Sequence, residues 1–241
     1  MRHISAFVLF LTACASVSAD TWNQFRGRAG GQVENVTHPL EWSGDKNVAW
    51  AAPMKGSGWS SPIVVGDRVI FTSAVSENAA RPKGMMAGVG SMRTFRNQKP
   101  VNQKFVVSCL NLEDGTVMWS KTVGELVPAV IHPSNTYATE SPTSDGKYVF
   151  TFFATSGTLT AWGLDGEEKW KKELGTYKSG NGFGSGSSLA ISDGRVFVQF
   201  DNDESSFVAA FDTQTGEQVW RDDRPATVSY THLTLPTICS V

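Results

Sequence analysis

A tryptophan recurs about every 50 residues along this chain, each time a few positions after an Asp and a Gly. The three best copies end at Trp119, Trp170 and Trp220, in the stretches 111–119, 163–170 and 211–220. A fixed period of 20 to 50 residues is the mark of a repeat architecture, in which each unit packs against its neighbours. The repeat therefore constrains the fold more than any local propensity does.

A second set of segments keeps the same period. The stretches 59–72, 140–152 and 186–198 each read as two apolar runs around a turn made of Gly and Asp. Both residues tolerate the positive φ of hairpin turns, so each stretch predicts a β-hairpin. Together with the Asp-Gly-x-x-Trp segment, each period then holds four strands, which is the size of a β-propeller blade. We predict an all-β fold with blades at 59–122, 139–174 and 184–223.

The predicted ring is incomplete. A degenerate fourth tryptophan, Trp50, lies before the first blade and is expected to belong to an N-terminal strand that closes the ring. Propellers contain about 4 to 8 blades. Three blades and one strand therefore predict that the sequence is the N-terminal part of a longer protein.

The charge balance is nearly neutral. Lys and Arg number 21, Asp and Glu number 23, and the net charge is −2. Charged residues make up 18% of the chain, below the roughly 25% of an ordinary soluble domain. Neither a basic nucleic-acid binder nor an acidic tail protein has this balance, so we expect no nucleic-acid partner.

Residues 1–19 have the form of a signal peptide. Arg2 and His3 precede an apolar run, and Val17-Ser-Ala19 offers small residues for cleavage before Asp20. The run is about half the roughly 20 residues that a membrane span needs. This predicts a periplasmic or secreted protein without a transmembrane segment. Leu11-Thr-Ala-Cys14 also resembles a lipobox, which leaves open a lipid anchor at Cys14.

The C-terminal residues 228–241 break the repeat. They include His232 and Cys239, and they resemble a translated sequencing-adapter tail. We therefore interpret 228–241 as non-native and 20–227 as the propeller domain. Of the remaining cysteines, Cys109 lies in an apolar run and is expected to be a buried small hydrophobe.

The repeat resembles that of a known family. The pattern Asp212-x-x-x-Gly216-x-x-x-Trp220 is similar to the PQQ-like, quinoprotein-type propeller repeat. The opening Trp22-Asn-Gln-Phe-Arg-Gly27 and Gly58-Trp-Ser-Ser-Pro62 resemble exported bacterial members. The repeat glycines and tryptophans are structural, namely Gly115, Trp119, Gly166, Trp170, Gly216 and Trp220.

Two segments are candidate contact sites. The insertion 76–104 between two strands is basic and carries Met residues, which suits an acidic partner or polymer, although a solvated excursion is the simpler interpretation. Its candidate contacts are Arg81, Lys83, Arg93 and Arg96. The segment before the second blade gathers polar groups that are expected to face the central channel and contact a ligand or partner, or else to cap loops. These are His132, Asn135, Tyr137 and Glu140.

The resemblance implies two functions. One is a non-catalytic scaffold of the bacterial envelope with protein or polymer partners and no cofactor, as in an outer-membrane assembly lipoprotein. The other is a PQQ- and calcium-dependent dehydrogenase of alcohols or sugars, but the adjacent cysteine pair of the alcohol dehydrogenases is missing and no catalytic Asp is assignable. A glycan-degrading site would need paired carboxylates; Glu140 and Asp201 are available, but nothing in the sequence places them at the required separation. The acidic turn 201–204 has the composition of a calcium loop without its spacing.

Overall fold

A computed structural model describes six parts of the chain, which are residues 22–27, 30–32, 39–76, 99–132, 135–178 and 182–225. The predicted signal peptide with its Cys14 anchor and the predicted non-native tail lie outside these residues. The four arginine and lysine candidates of the basic insertion, Arg81, Lys83, Arg93 and Arg96, also lie outside them.

The described residues form three four-stranded antiparallel sheets, each built from strands that follow one another in the chain. The first sheet contains β1 (Ile63–Val65), β2 (Arg68–Val75), β3 (Gln103–Asn111) and β4 (Val117–Leu126). The second contains β5 (Thr143–Ser144), β6 (Tyr148–Phe153), β7 (Thr158–Gly163) and β8 (Glu168–Glu173). The third contains β9 (Ala190–Ser192), β10 (Arg195–Phe200), β11 (Phe207–Asp212) and β12 (Gln218–Asp223). These sheets are the three predicted blades, and the protein is an incomplete β-propeller.

Apolar side chains pack between neighbouring blades. Phe105 and Val107 of the first blade are fully buried against Val149 and Phe153 of the second. Phe150 and Phe152 lie on the opposite face of the second blade, in a cluster with residues of the third. Successive side chains of a strand point to opposite faces, so the second blade has two apolar faces and neither is left to water.

The repeat tryptophans join each blade to the next one. In three successive positions the indole ring covers the turn glycine of the following blade, and its Nε1 donates to a backbone carbonyl of the same turn at 2.8–3.0 Å. The three sets are Trp50 on Gly115 with Leu112 O, Trp119 on Gly166 with Leu164 O, and Trp170 on Gly216 with Thr213 O. Trp50 thus occupies the position predicted for it, although the residues around it form no strand in the described part of the chain.

Replacing a turn glycine under a tryptophan is expected to destabilise the fold. Gly216 has φ +68°, and an added Cβ would lie 2.6 Å from the Trp170 ring. The left-handed backbone and the contact together predict that Gly216→Ala lowers the free energy of unfolding by about 2 kcal/mol. Gly194 has φ +70° with open space around it, so Gly194→Ala isolates the backbone cost at about 1 kcal/mol. Urea unfolding of both variants checks this, and equal losses would contradict the tryptophan contact.

The N-terminal segment 22–27 lies beside the innermost strands. Val64 N in β1 donates to Trp22 O at 2.8 Å, and Ser144 N in β5 donates to Asn23 O at 2.8 Å. The Asn23 side-chain amide returns a bond to Ser144 O at 2.6 Å. These bonds tie the inner edges of the first two blades to a segment that the sequence alone did not place there.

Candidate functional site

A cavity of about 640 Å3 lies between the second and third blades. It opens on the face of the propeller that carries the β6–β7 and β10–β11 turns and the connections between blades. Residues 127–132 follow the end of β4, and we call them the strap. Residues 127–131 of the strap line one side of the cavity. The opposite side includes Tyr177 and Phe200, whose rings meet edge to face with centroids 5.3 Å apart. The walls are mostly apolar, and the cavity volume is in the range of ordinary ligand sites.

The strap is fixed at its end by contacts with the next inter-blade connection. His132 N donates to Gly182 O at 2.7 Å, and the His132 ring packs against Phe183 with centroids 5.0 Å apart. Asn135 Nδ2 donates to Phe183 O at 2.5 Å, while Asn135 Oδ1 accepts from Thr139 Oγ1 at 2.6 Å. These contacts hold two connections together over the cavity.

Tyr137 and Glu140 continue the same polar segment toward the interior. The Tyr137 hydroxyl donates to Ala129 O at 3.1 Å, and burial raises the pKa of this phenol. Glu140 is 3% exposed. Burial raises its pKa from 4.5 to about 7, and hydrogen bonds from the Ser185 side chain and nearby backbone groups oppose that rise. Ser185 and Ala154, which both bond to this carboxyl group, also line the cavity.

The structure therefore brings the four polar candidates to one place, at the strap and behind the cavity. Their hydrogen bonds run to neighbouring loops, so the geometry gives each of them a positioning role. A direct contact between any of them and a ligand stays a prediction. The sequence did not reveal the cavity itself. The apolar run 126–131 with its proline was the available signal, because a buried connection needs such residues.

The acidic turn 201–204 forms the other lip of the cavity. Asn202 Oδ1 accepts from Glu204 N at 2.9 Å and from Ser205 N at 2.6 Å, which closes the turn between β10 and β11. Asp201 Oδ1 pairs with Arg224 Nη1 at 2.6 Å. Among the described residues, no three His, Cys, Asp or Glu side chains are grouped in a way that would hold a metal ion.

Cys109 is buried in the core between the first two blades, as its apolar surroundings predicted. Burial raises the pKa of its thiol to about 11, so the reactive thiolate is scarce at neutral pH. No helix in the described residues has the length and apolar character needed to cross a membrane.

The solved structures that are similar to this chain include two dehydrogenases and BamB. A europium-containing methanol dehydrogenase is 17% identical over 70% of this chain and 25% of its own, with a TM-score of 0.45. The quinohemoprotein alcohol dehydrogenase ADHIIG from Pseudomonas putida HK5 is 16% identical over 73% of this chain and 22% of its own, with a TM-score of 0.43. BamB from Moraxella catarrhalis is 14% identical over 72% of this chain and 51% of its own, with a TM-score of 0.34. The chain thus spans between about a fifth and a half of these proteins.

The family comparison is more direct. No curated protein matches the chain significantly. Residues 103–237 match the PQQ_2 family model, whose description is "Outer membrane protein assembly factor BamB". The match covers more than half of the chain and includes Trp119, Trp170 and Trp220, which lie on the outer strands β4, β8 and β12. The protein therefore belongs to this PQQ-like repeat family.

Proposed function

We propose that this protein is an exported, non-catalytic propeller that binds other proteins in the bacterial cell envelope. One observation carries the proposal. The polar side chains of the segment before β5 are engaged in holding the strap, and what they leave open is a mostly apolar cavity between two blades. A site of this kind binds by burying apolar surface. The family description, which names an outer-membrane assembly factor, supports the same function.

The dehydrogenase alternative has less support from the described residues. A quinone with a calcium ion needs a set of oxygen donors for the metal. The acidic side chains that the structure describes are not grouped into such a set. The described side chains therefore do not fit a calcium-bound quinone.

Photo-crosslinking inside the bacterial envelope tests the proposed function. Val127 is 60% exposed and lines the cavity, so a benzophenone amino acid placed there is expected to crosslink an envelope protein on irradiation. The matched control is Gln214, which is exposed in the β11–β12 turn on the opposite face of the propeller. Mass spectrometry then identifies the crosslinked protein. Equal crosslinking from both positions, or dye reduction by the protein with PQQ, calcium and an alcohol, would contradict the proposal.

A further inference from the structure

The backbone hydrogen-bonding groups on one edge of the strap have partners, whereas those on the other edge are largely open. In an extended chain the N–H and C=O groups of a residue point to one edge, and those of the next residue point to the other. Ala129 O accepts from the Tyr137 hydroxyl, and the Ile131 backbone hydrogen-bonds to the same hydroxyl. Residues 129 and 131 therefore share the edge that faces Tyr137.

The opposite edge belongs to residues 128, 130 and 132. His132 N on this edge donates to Gly182 O at 2.7 Å, as the first bond of a ladder would. Among the described residues, the ladder goes no further: the backbone N–H and C=O of Val130 and the C=O of Pro128 have no hydrogen-bond partner. Val130, Pro128 and Gly182 all line the cavity. The open backbone groups therefore lie along the space between the blades.

A backbone segment with open hydrogen-bonding groups beside an apolar cavity is an arrangement that accepts an added peptide strand. Backbone hydrogen bonds to the edge supply affinity, and alternate side chains enter the cavity. Here the alternate side chains would meet Tyr177 and Phe200 across from the strap.

The charges of the acidic turn 201–204 at the lip of the cavity indicate which kind of peptide would bind. Asp201 is neutralised by Arg224, but the exposed carboxylates of Asp203 and Glu204 have no ionic partner in the described part of the chain. Among the described residues that line the cavity, Lys178 is the one basic side chain. The lip therefore carries one more unpaired acid than base, which favours a cationic group on the ligand.

We propose that the cavity binds an extended segment of a partner protein, added as a strand to the open edge of the strap, with alternate apolar side chains in the cavity and a Lys or Arg facing Glu204. This inference rests on the proposed protein-binding function and specifies its site and ligand.

Fluorescence anisotropy with labelled peptides tests the strand addition. The probes are acetyl-Lys-Thr-X-Thr-X-Thr-amide, with Val, Leu or Phe at X. Each has two N-methylated forms, one methylated at both X residues and the other at the second and fourth residues. Strand addition uses the N–H groups of one edge only, so one form is expected to lose at least tenfold in affinity while the other keeps it. Equal affinity in both forms, or no binding by any probe, would overturn the proposal.

A matched pair of proline variants tests the strap itself. Val130→Pro removes the open N–H, whereas Ala129→Pro removes an N–H on the other edge of the same segment. Val130→Pro is expected to weaken peptide binding at least tenfold and Ala129→Pro less than threefold, with both variants showing the thermal unfolding of the parent. If the two weaken binding equally, the edge does not pair with the peptide.

A charge exchange tests the lip. Glu204→Lys is expected to weaken binding of the Lys probe and to restore binding when the probe carries Glu in place of Lys. Unchanged affinity for both probes would remove Glu204 from the site. If Val127 crosslinks an envelope protein while no probe binds, the strand addition fails and the protein-binding function stands. If crosslinking also fails, both are wrong.

Discussion

Trp170→Ala is expected to lower the free energy of unfolding by about 4 kcal/mol, because it removes the largest side chain that joins the second and third blades. The Trp170 ring is 9% exposed, covers Gly216 and lies 5.8 Å from the Phe150 ring. Its Nε1 donates to Thr213 O at 3.0 Å, and the truncation would leave the carbonyl of the buried Thr213 without this donor. Urea unfolding followed by far-ultraviolet circular dichroism measures the loss.

The repeat supplies the control for this variant. Trp220 stands at the equivalent position of the third blade, but its ring covers no turn glycine in the described residues, and the residue is 39% exposed. Trp220→Ala is therefore expected to cost only about 1 kcal/mol, mostly through its contact with Phe197. If the two alanine variants lose equal stability, the tryptophans do not act by joining blades.

The repeat could be predicted because its signal is local. An Asp, a Gly and a Trp at fixed spacing specify a tight turn and an outer strand, whatever surrounds them. Gly216 has the positive φ that this turn requires, and Asp212 Oδ1 accepts from the N–H groups of Gln214 and Thr215 inside it. The three blades, their approximate bounds and the structural role of the repeat tryptophans followed from that spacing.

The site could not be predicted to the same extent, because it depends on contacts between distant segments. Asn135 and Phe183, or Val64 and Trp22, are joined by hydrogen bonds that no spacing in the sequence reveals. The polar character of the segment before β5 was visible, whereas the inward direction of Glu140 was not. Propensity and pattern describe neighbours in the chain, while burial is set by the packing of blades.

Trp50 illustrates the difference between what the local sequence determines and what the packing of blades determines. Its local sequence has only a weak form of the repeat, yet its ring covers Gly115 and its Nε1 donates to Leu112 O at 2.8 Å. The position is set by the first blade, whose turn offers the same glycine and carbonyl as the others. The strand predicted around Trp50 needs a neighbouring strand to pair with, and the described residues contain none beside it. The Trp50 side chain therefore makes the contacts of a repeat tryptophan although the backbone around it does not form the repeat strand.

The raised pKa of Glu140 predicts that the free energy of unfolding decreases as pH rises. Its pKa is about 7 in the folded protein because burial disfavours the charged form, and 4.5 is the ordinary value that applies to the unfolded chain. Between these values the folded state holds a proton that the unfolded state has released, so raising the pH favours unfolding. The contribution is fully present below pH 4.5 and lost as the pH passes 7. At roughly 1.4 kcal/mol for each pH unit, the loss is about 3 kcal/mol.

Glu140→Gln isolates this contribution, because the amide does not titrate. The free energy of unfolding of both proteins is measured in urea at pH 4.5, 6 and 8. Asp114, Asp165 and Asp212, whose pKa values are lowered from 3.8 by hydrogen bonds in their turns, contribute an opposite trend that lies mostly below this pH range and is the same in both proteins. The parent is therefore expected to lose about 3 kcal/mol relative to the variant between pH 4.5 and 8. Parallel curves would mean that the Glu140 carboxyl reaches water in the folded protein.

Since Ser185 and Ala154 join this carboxyl group to the cavity wall, a confirmed shift would also predict that peptide affinity changes near pH 7 in the parent and stays constant in Glu140→Gln.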